Sequence, residues 1–136
     1  MSKYNALYTE VNNVFGSLAW IAEGIKTFPP SFVGLVTSNE YIRVAILASG
    51  ADPQKVVRSS QGQLSIDIFI PAGAGPKRAT DIADRLDAYL VNKVYKDAGV
   101  GSLQLGSSTL TPRGNDRDNP SLYRFIYTIP FNFFGV

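Results

Sequence analysis

Between Leu64 and Leu90 the chain reads LSIDIFIPAGAGPKRATDIADRLDAYL: an alternating strand, a glycine–proline turn and an amphipathic helix in unbroken succession. Leu64, Ile66, Ile68 and Ile70 share one face of the strand, and Ser65, Asp67 and Phe69 share the other, because side chains alternate along extended backbone. The turn Pro71-Ala72-Gly73-Ala74-Gly75-Pro76 stops the strand, and Pro76 suits a first helical position, where no N–H needs a partner. Ala79, Ile82, Ala83, Leu86 and Leu90 then recur at helical spacing, so the helix can fold back onto the apolar face of its own strand. The unit commits the chain to a helix layer on a sheet, and it contains no recognisable catalytic group.

The flanking sequence fills in the layers. A helix is predicted over Lys3 to Phe15, with Ser2 as its N-cap, Leu7, Val11, Val14, Phe15 and Leu18 on one face, and Gly16 weakening its end. Ser17 to Ile25 reads either as a short strand or as an extended link, with Trp20 buried in both cases. Thr27 to Asn39, holding Pro29-Pro30, Gly34 and Ser38-Asn39, reads as a loop. Tyr41 to Leu47 is a strand with Ile42, Val44 and Ile46 on one face. Ser49 to Gly62 is a polar excursion leading to an antiparallel partner that starts at Leu64.

A second helix runs from Lys77 to Lys93, with Lys77/Asp81 and Asp81/Arg85 at four-residue spacing on its outer side. Val94 to Gly101 leads out of it. Ser102 to Thr111 is a weaker strand with Gly106 as a possible bulge, and Pro112 to Pro120 is a polar loop. Leu122 to Phe133 places Tyr123, Phe125, Tyr127, Ile129, Phe131 and Phe133 on one face. Pro130 cannot donate to a ladder, so this strand is expected to lie at an edge or to change partners there. The order predicts one α+β domain over residues 1–136: a mainly antiparallel sheet with two helices packed on one face.

Composition narrows the chemistry. Within these 136 residues there is no cysteine and no histidine, so disulfides, thiolate nucleophiles, imidazole bases and His-ligated metals are excluded. A content of 45% apolar and 18% charged residues is that of a soluble globular chain. A net charge of +2 is too small to argue for nucleic acid or an anionic membrane as the main partner. No apolar run approaches the roughly 20 residues that span a bilayer, and MSKYNALYTE has no signal-peptide core.

Each chemical motif has a plainer reading. Gly73-Ala74-Gly75-Pro76-Lys77 opens a helix after a strand, but it lacks the phosphate-loop spacing, has Arg78 where a dinucleotide turn needs glycine, and loses an N–H at Pro76. Asn115, Asp116, Asp118 and Asn119 are oxygen-rich, but Pro120 and Arg117 break the calcium-loop pattern. Glu10, Glu23, Glu40 and Asp67 are scattered, so no acid/base couple is named, and Asp67 reads as exposed. The aromatic face of the last strand reads as core; its alternative is a platform for single-stranded nucleic acid. The polar segments Ser49–Gly62 and Pro112–Pro120 carry Lys55, Arg58, Arg113, Asp116 and Arg117, and these are the candidate interface residues, since long loops on small domains are often functional.

Three phrases resemble a known family. Asp67-Ile68-Phe69-Ile70-Pro71-Ala72-Gly73-Ala74-Gly75, then Ala79-Thr80-Asp81-Ile82-Ala83-Asp84, then Tyr123-Arg124 through Ile129-Pro130-Phe131 are similar to the tail terminator (tail completion) proteins of long-tailed bacteriophages. Trp20 followed by Phe28-Pro29-Pro30 also fits. The resemblance implies a non-enzymatic homo-oligomer without cofactor, commonly a hexameric ring, located at the head–tail junction of the virion and assembled in the host cytoplasm. Its partners would be the tail tube protein and a head completion or connector protein, with DNA only as passing cargo. Other phage neck proteins share these features and form the alternative.

Overall fold

The computed structural model describes residues 3–28, 40–49, 59–73, 75–97, 99–115 and 122–135. In chain order the elements are α1 (Lys3–Phe15), α2 (Leu18–Ala22), β1 (Thr27–Phe28), β2 (Tyr41–Ser49), β3 (Ser59–Pro71), α3 (Lys77–Leu90), β4 (Val94–Asp97), β5 (Gly101–Leu105), β6 (Thr109–Asn115) and β7 (Leu122–Gly135). The strands form one sheet in the order β1-β2-β3-β7-β5-β4, with β6 paired to β7. All pairs are antiparallel except β1 with β2. The α+β class, the antiparallel sheet and the packing of helices on one face are as the sequence predicts, with α2 as a third helix.

The β3–β7 pair is the spine of the sheet. It runs in register from Ser59↔Phe134 to Pro71↔Leu122, so the alternating apolar faces of both strands coincide. Leu64, Ile66, Ile68 and Ile70 lie beside Phe125, Tyr127, Ile129, Phe131 and Phe133 in the main core. Ala6, Leu7, Val11 and Val14 of α1 and Ala79, Ile82, Ala83, Leu86 and Leu90 of α3 cover them. Phe125, Tyr127, Phe131 and Phe133 of the last strand are therefore buried beneath the helices, Tyr123 is partly buried against the same core, and Tyr127 and Phe133 are at most 1% exposed. They offer no stacking face to a nucleic-acid base.

β7 is central, which overturns the expectation of an edge strand. The other half of that expectation holds, because the partner changes at Pro130. On the side away from β3, Tyr123 to Thr128 pairs with β6, and Phe131 to Gly135 pairs with β5. Pro130 sits at the handover, where a missing N–H leaves no gap in either ladder. Its carbonyl accepts from Gly106 N at 3.0 Å in the β5–β6 link. Gly106 is thus the point where one predicted strand, Ser102 to Thr111, becomes two.

Several local expectations need correction. Ser17 to Ile25 contains a helix, because Ser17 caps it: its Oγ accepts from Trp20 N at 3.3 Å. Trp20 is buried as expected, edge-on to Phe15 and Tyr89, and its Nε1 donates to Thr27 Oγ1 at 2.9 Å. Leu18, expected on the first buried stripe, is 87% exposed on α2. Thr27–Phe28 is a short strand, and Ser59 to Gly62 already belongs to β3. At Gly62 an added Cβ would lie 2.0 Å from Leu47 O, so the close approach of β2 requires glycine.

α3 stops at Leu90, earlier than Lys93, because Val91 is extended and Asn92 has φ 57°; Val94–Asp97 then forms β4. Pro112 to Asn115, read as loop, forms the end of β6. A bulge between Pro112 and Gly114, with Gly114 at φ 98°, lets turn-type residues remain in the ladder. Ser2, residues 29–39 of the predicted Thr27–Asn39 loop, and most of Ser49–Gly62 and Pro112–Pro120 lie outside the described residues.

Replacing Leu86, fully buried in the α3–sheet contact, by alanine should lower stability by about 3 kcal/mol. Urea denaturation followed by the fluorescence of Trp20, the sole tryptophan, measures this.

Candidate functional site

With the helices on one side, the opposite face of the sheet is left without a helix among the described residues. Its side chains are the alternates of the core positions: Arg43, Ala45 and Leu47 on β2, Ser65, Asp67 and Phe69 on β3, and Arg124, Ile126 and Thr128 on β7. Asp67, expected to be exposed, is buried on this face. Arg43 stands directly opposite it on β2, while Arg124 is diagonal to it, opposite Phe69 on β7. Arg43 donates to Asp67 Oδ2 through Nη2 at 2.8 Å and Nε at 3.3 Å. Arg124 donates to Oδ1 through Nη2 at 2.8 Å and Nε at 3.1 Å. One carboxylate thus receives two planar guanidinium forks, a geometry that only arginine supplies.

An aromatic cluster flanks this triad. The Arg43 guanidinium lies 5.3 Å from the centre of the Phe69 ring, Tyr41 stacks on Phe69 at 4.6 Å, and Phe28 meets Tyr41 edge-on. Tyr41, Phe69 and Leu122 form a small second core separate from the main one. Beyond the triad the face is made of small or uncharged side chains, with Ala45, Ser65 and Thr128 in one row and Leu47, Gln63 and Pro130 in the next. Leu47 and Phe134 are exposed large apolar groups.

Three further carboxylates, Glu40, Glu23 and Asp87, find partners that their sequence spacing does not reveal. Glu40 takes a two-point ion pair from Arg78, both contacts at 2.7 Å. Glu23 pairs with Arg85 and accepts from the Tyr89 hydroxyl, so Arg85 turns away from the expected Asp81, while Lys77–Asp81 forms as predicted. Asp87 Oδ1 accepts from Tyr127 and Ser108, each at 2.6 Å. Burial, and then the Asp87 carboxylate, push the Tyr127 hydroxyl well above its ordinary pKa.

Glu10 differs from the others. It is 2% exposed, its Oε2 has no hydrogen-bond partner, and no cation pairs with it among the described residues. Burial, followed by the neighbouring Asp97 carboxylate, raises its pKa from 4.5 to about 7. The position was legible: Glu10 follows Ala6 and precedes Val14 by one helical turn each, on the stripe that α1 buries.

Of the candidate interface residues, Lys55, Arg58, Asp116 and Arg117 lie outside the described residues. Arg113 is exposed at the β6 bulge and has no ion-pair partner among the described residues. Two clefts flank the sheet. One, of about 490 Å³, is walled by Pro71, Pro76, Pro112, Tyr123 and Phe125; the other, of about 330 Å³, lies between α1 and β1–β2. Among the described residues, tyrosine is the sole titratable residue type lining either. Among the described residues no group of three or more acidic, histidine or cysteine side chains is placed to hold a metal. No described helix is long and apolar enough to cross a membrane.

No protein-family model and no curated protein matches the sequence. A solved structure whose name carries no function superposes with a TM-score of 0.71 at 15% identity, covering 96% of this chain and 95% of that one. At that identity the likeness is one of fold, and it spans the whole chain.

Replacing Asp67 by alanine leaves two guanidiniums facing each other at a site between surface and interior. The expected cost is about 2 kcal/mol, between the values for exposed and fully buried pairs. Asp67→Asn should cost less, and urea denaturation of the two variants gives the order.

Proposed function

We propose that this chain is the subunit of a phage tail terminator: a ring that caps the finished tail tube, stops further tube subunits from adding, and presents a surface to the head's connector. The observation that carries this reading is how the three family-like phrases meet in space. Asp67 of the first phrase is bound by Arg124 of the third. Ala79, Ile82 and Ala83 of the second pack in the core formed by the strands of the other two. Pro71, Gly73 and Gly75 of the first and Tyr123 and Phe125 of the third wall one cleft together. Phrases so far apart in sequence form one contiguous framework, as expected if they maintain a shared fold rather than a reaction centre.

The open sheet face supports the same reading, since a broad face of small and apolar side chains suits contact with another protein. Arg113, exposed beside it on β6, is a candidate contact at the rim of such an interface.

Light scattering and negative-stain microscopy should show a closed ring, formed by the protein alone or on mixing with tail tubes, and tube growth should stop. A strictly monomeric protein that leaves tube length unchanged overturns the reading. A ring that binds connector but leaves tube growth unaffected moves it to another neck protein. Arg113→Glu should weaken docking about tenfold, as a reversed rim charge does, with the circular dichroism spectrum unchanged.

A further inference from the structure

Among the described residues two buried side-chain oxygens have no partner, Ser102 Oγ and Glu10 Oε2, and of the two only Glu10 belongs to an acid. Its carboxyl is held on the buried stripe of α1, with Oε2 unpartnered. The group it meets is a second carboxyl, that of Asp97 on β4, whose Oδ2 accepts from Asn13 Nδ2 at 3.0 Å one turn further along α1. A helix is thus joined to an edge strand through two acids and an amide.

Among the described residues no cation forms an ion pair with Glu10. On β4, Tyr95 and Asp97 share the helix side with Leu103 and Gly101, while Lys96 pairs with Ser102 on the other side. Tyr95 uses its hydroxyl on the Tyr89 carbonyl. β5 (Gly101–Leu105) and α2 (Leu18–Ala22) have no titratable side chain. On the core side β7 supplies Tyr123 and Tyr127, the latter engaged with Asp87, while its Arg124 lies on the far face against Asp67. On α1 itself Tyr4 and Tyr8 are exposed. Asp97 is exposed while Glu10 is shut away from water, so burial and the neighbouring carboxylate together disfavour a charge on Glu10, which a proton or separation relieves.

We propose that the Glu10–Asp97 contact is a proton-operated latch: a proton on Glu10 seats α1 on the sheet, and its loss loosens α1 from β4. The inference stands independently of the assembly reading.

The sign follows from linkage. Glu10 binds its proton more tightly in the folded chain than in the unfolded one, so the seat is fully held below its ordinary pKa of 4.5 and is lost as pH rises through about 7. Over that window the opening equilibrium of α1 should rise about tenfold per pH unit and then level off. Amide hydrogen exchange of α1, corrected for intrinsic rates, reads this directly, and Tm should fall over the same range.

Glutamine keeps the shape of the neutral acid without its titration. Glu10→Gln is therefore expected to abolish the pH dependence and to hold α1 closed at about pH 8 as firmly as the wild type is held at about pH 5. Asp97→Asn removes the repelling carboxylate and should move the wild-type transition to lower pH, a test that does not require the glutamine variant to fold. Wild-type α1 exchange that is flat across the window, or an Asp97→Asn transition at an unchanged pH, overturns the latch. Restoration of α1 protection at about pH 8 by calcium or magnesium, in the wild type but not in Glu10→Gln, also overturns it, because the pair would then be a divalent-cation site.

Discussion

The rest of the sheet is placed by one pairing, that of β3 with β7. Both strands alternate between apolar and polar side chains, and a slip of one residue would turn every core side chain of one strand onto the wrong face. The register seen here aligns Ile66 with Tyr127 and Ile68 with Phe125 on the helix side. On the other side it brings Arg124 within reach of Asp67. The same alignment thus satisfies the hydrophobic core and the buried carboxylate together, and a shifted register would lose both.

Local periodicity made much of this legible. The α1 bounds, the faces of β2 and β3 and the buried stripe of α3 follow from spacing alone, because each is long enough for its period to show. α2 was hidden because five residues give no period, and its cap, Ser17, belongs to a segment that also reads as extended. β6 was hidden for the opposite reason. Its Pro112, Gly114 and Asn115 are turn residues, and only an edge position with a bulge lets them stay in a strand.

The site was less legible than the fold. Alternation placed Asp67 on the face away from the core, and exposure seemed to follow. What buries it is the arrival of Arg43 and Arg124 from two other strands, which depends on registers that no single segment encodes. The same is true of Glu40 with Arg78 and Glu23 with Arg85. Glu10 is the exception, since its place on an apolar stripe could be read directly, although its partner on β4 could not.

The change of partners at Pro130 has a mechanical consequence. β5 and β6 both lie along one side of β7, yet each hydrogen-bonds only its own half of that strand. Between them the sheet has a seam crossed by the β7 backbone and the Gly106–Pro130 contact. β3 runs unbroken past this seam, pairing Gln63 with Pro130 at its centre, so the two halves of the sheet are held in one surface by the β3–β7 ladder rather than by any contact between β5 and β6.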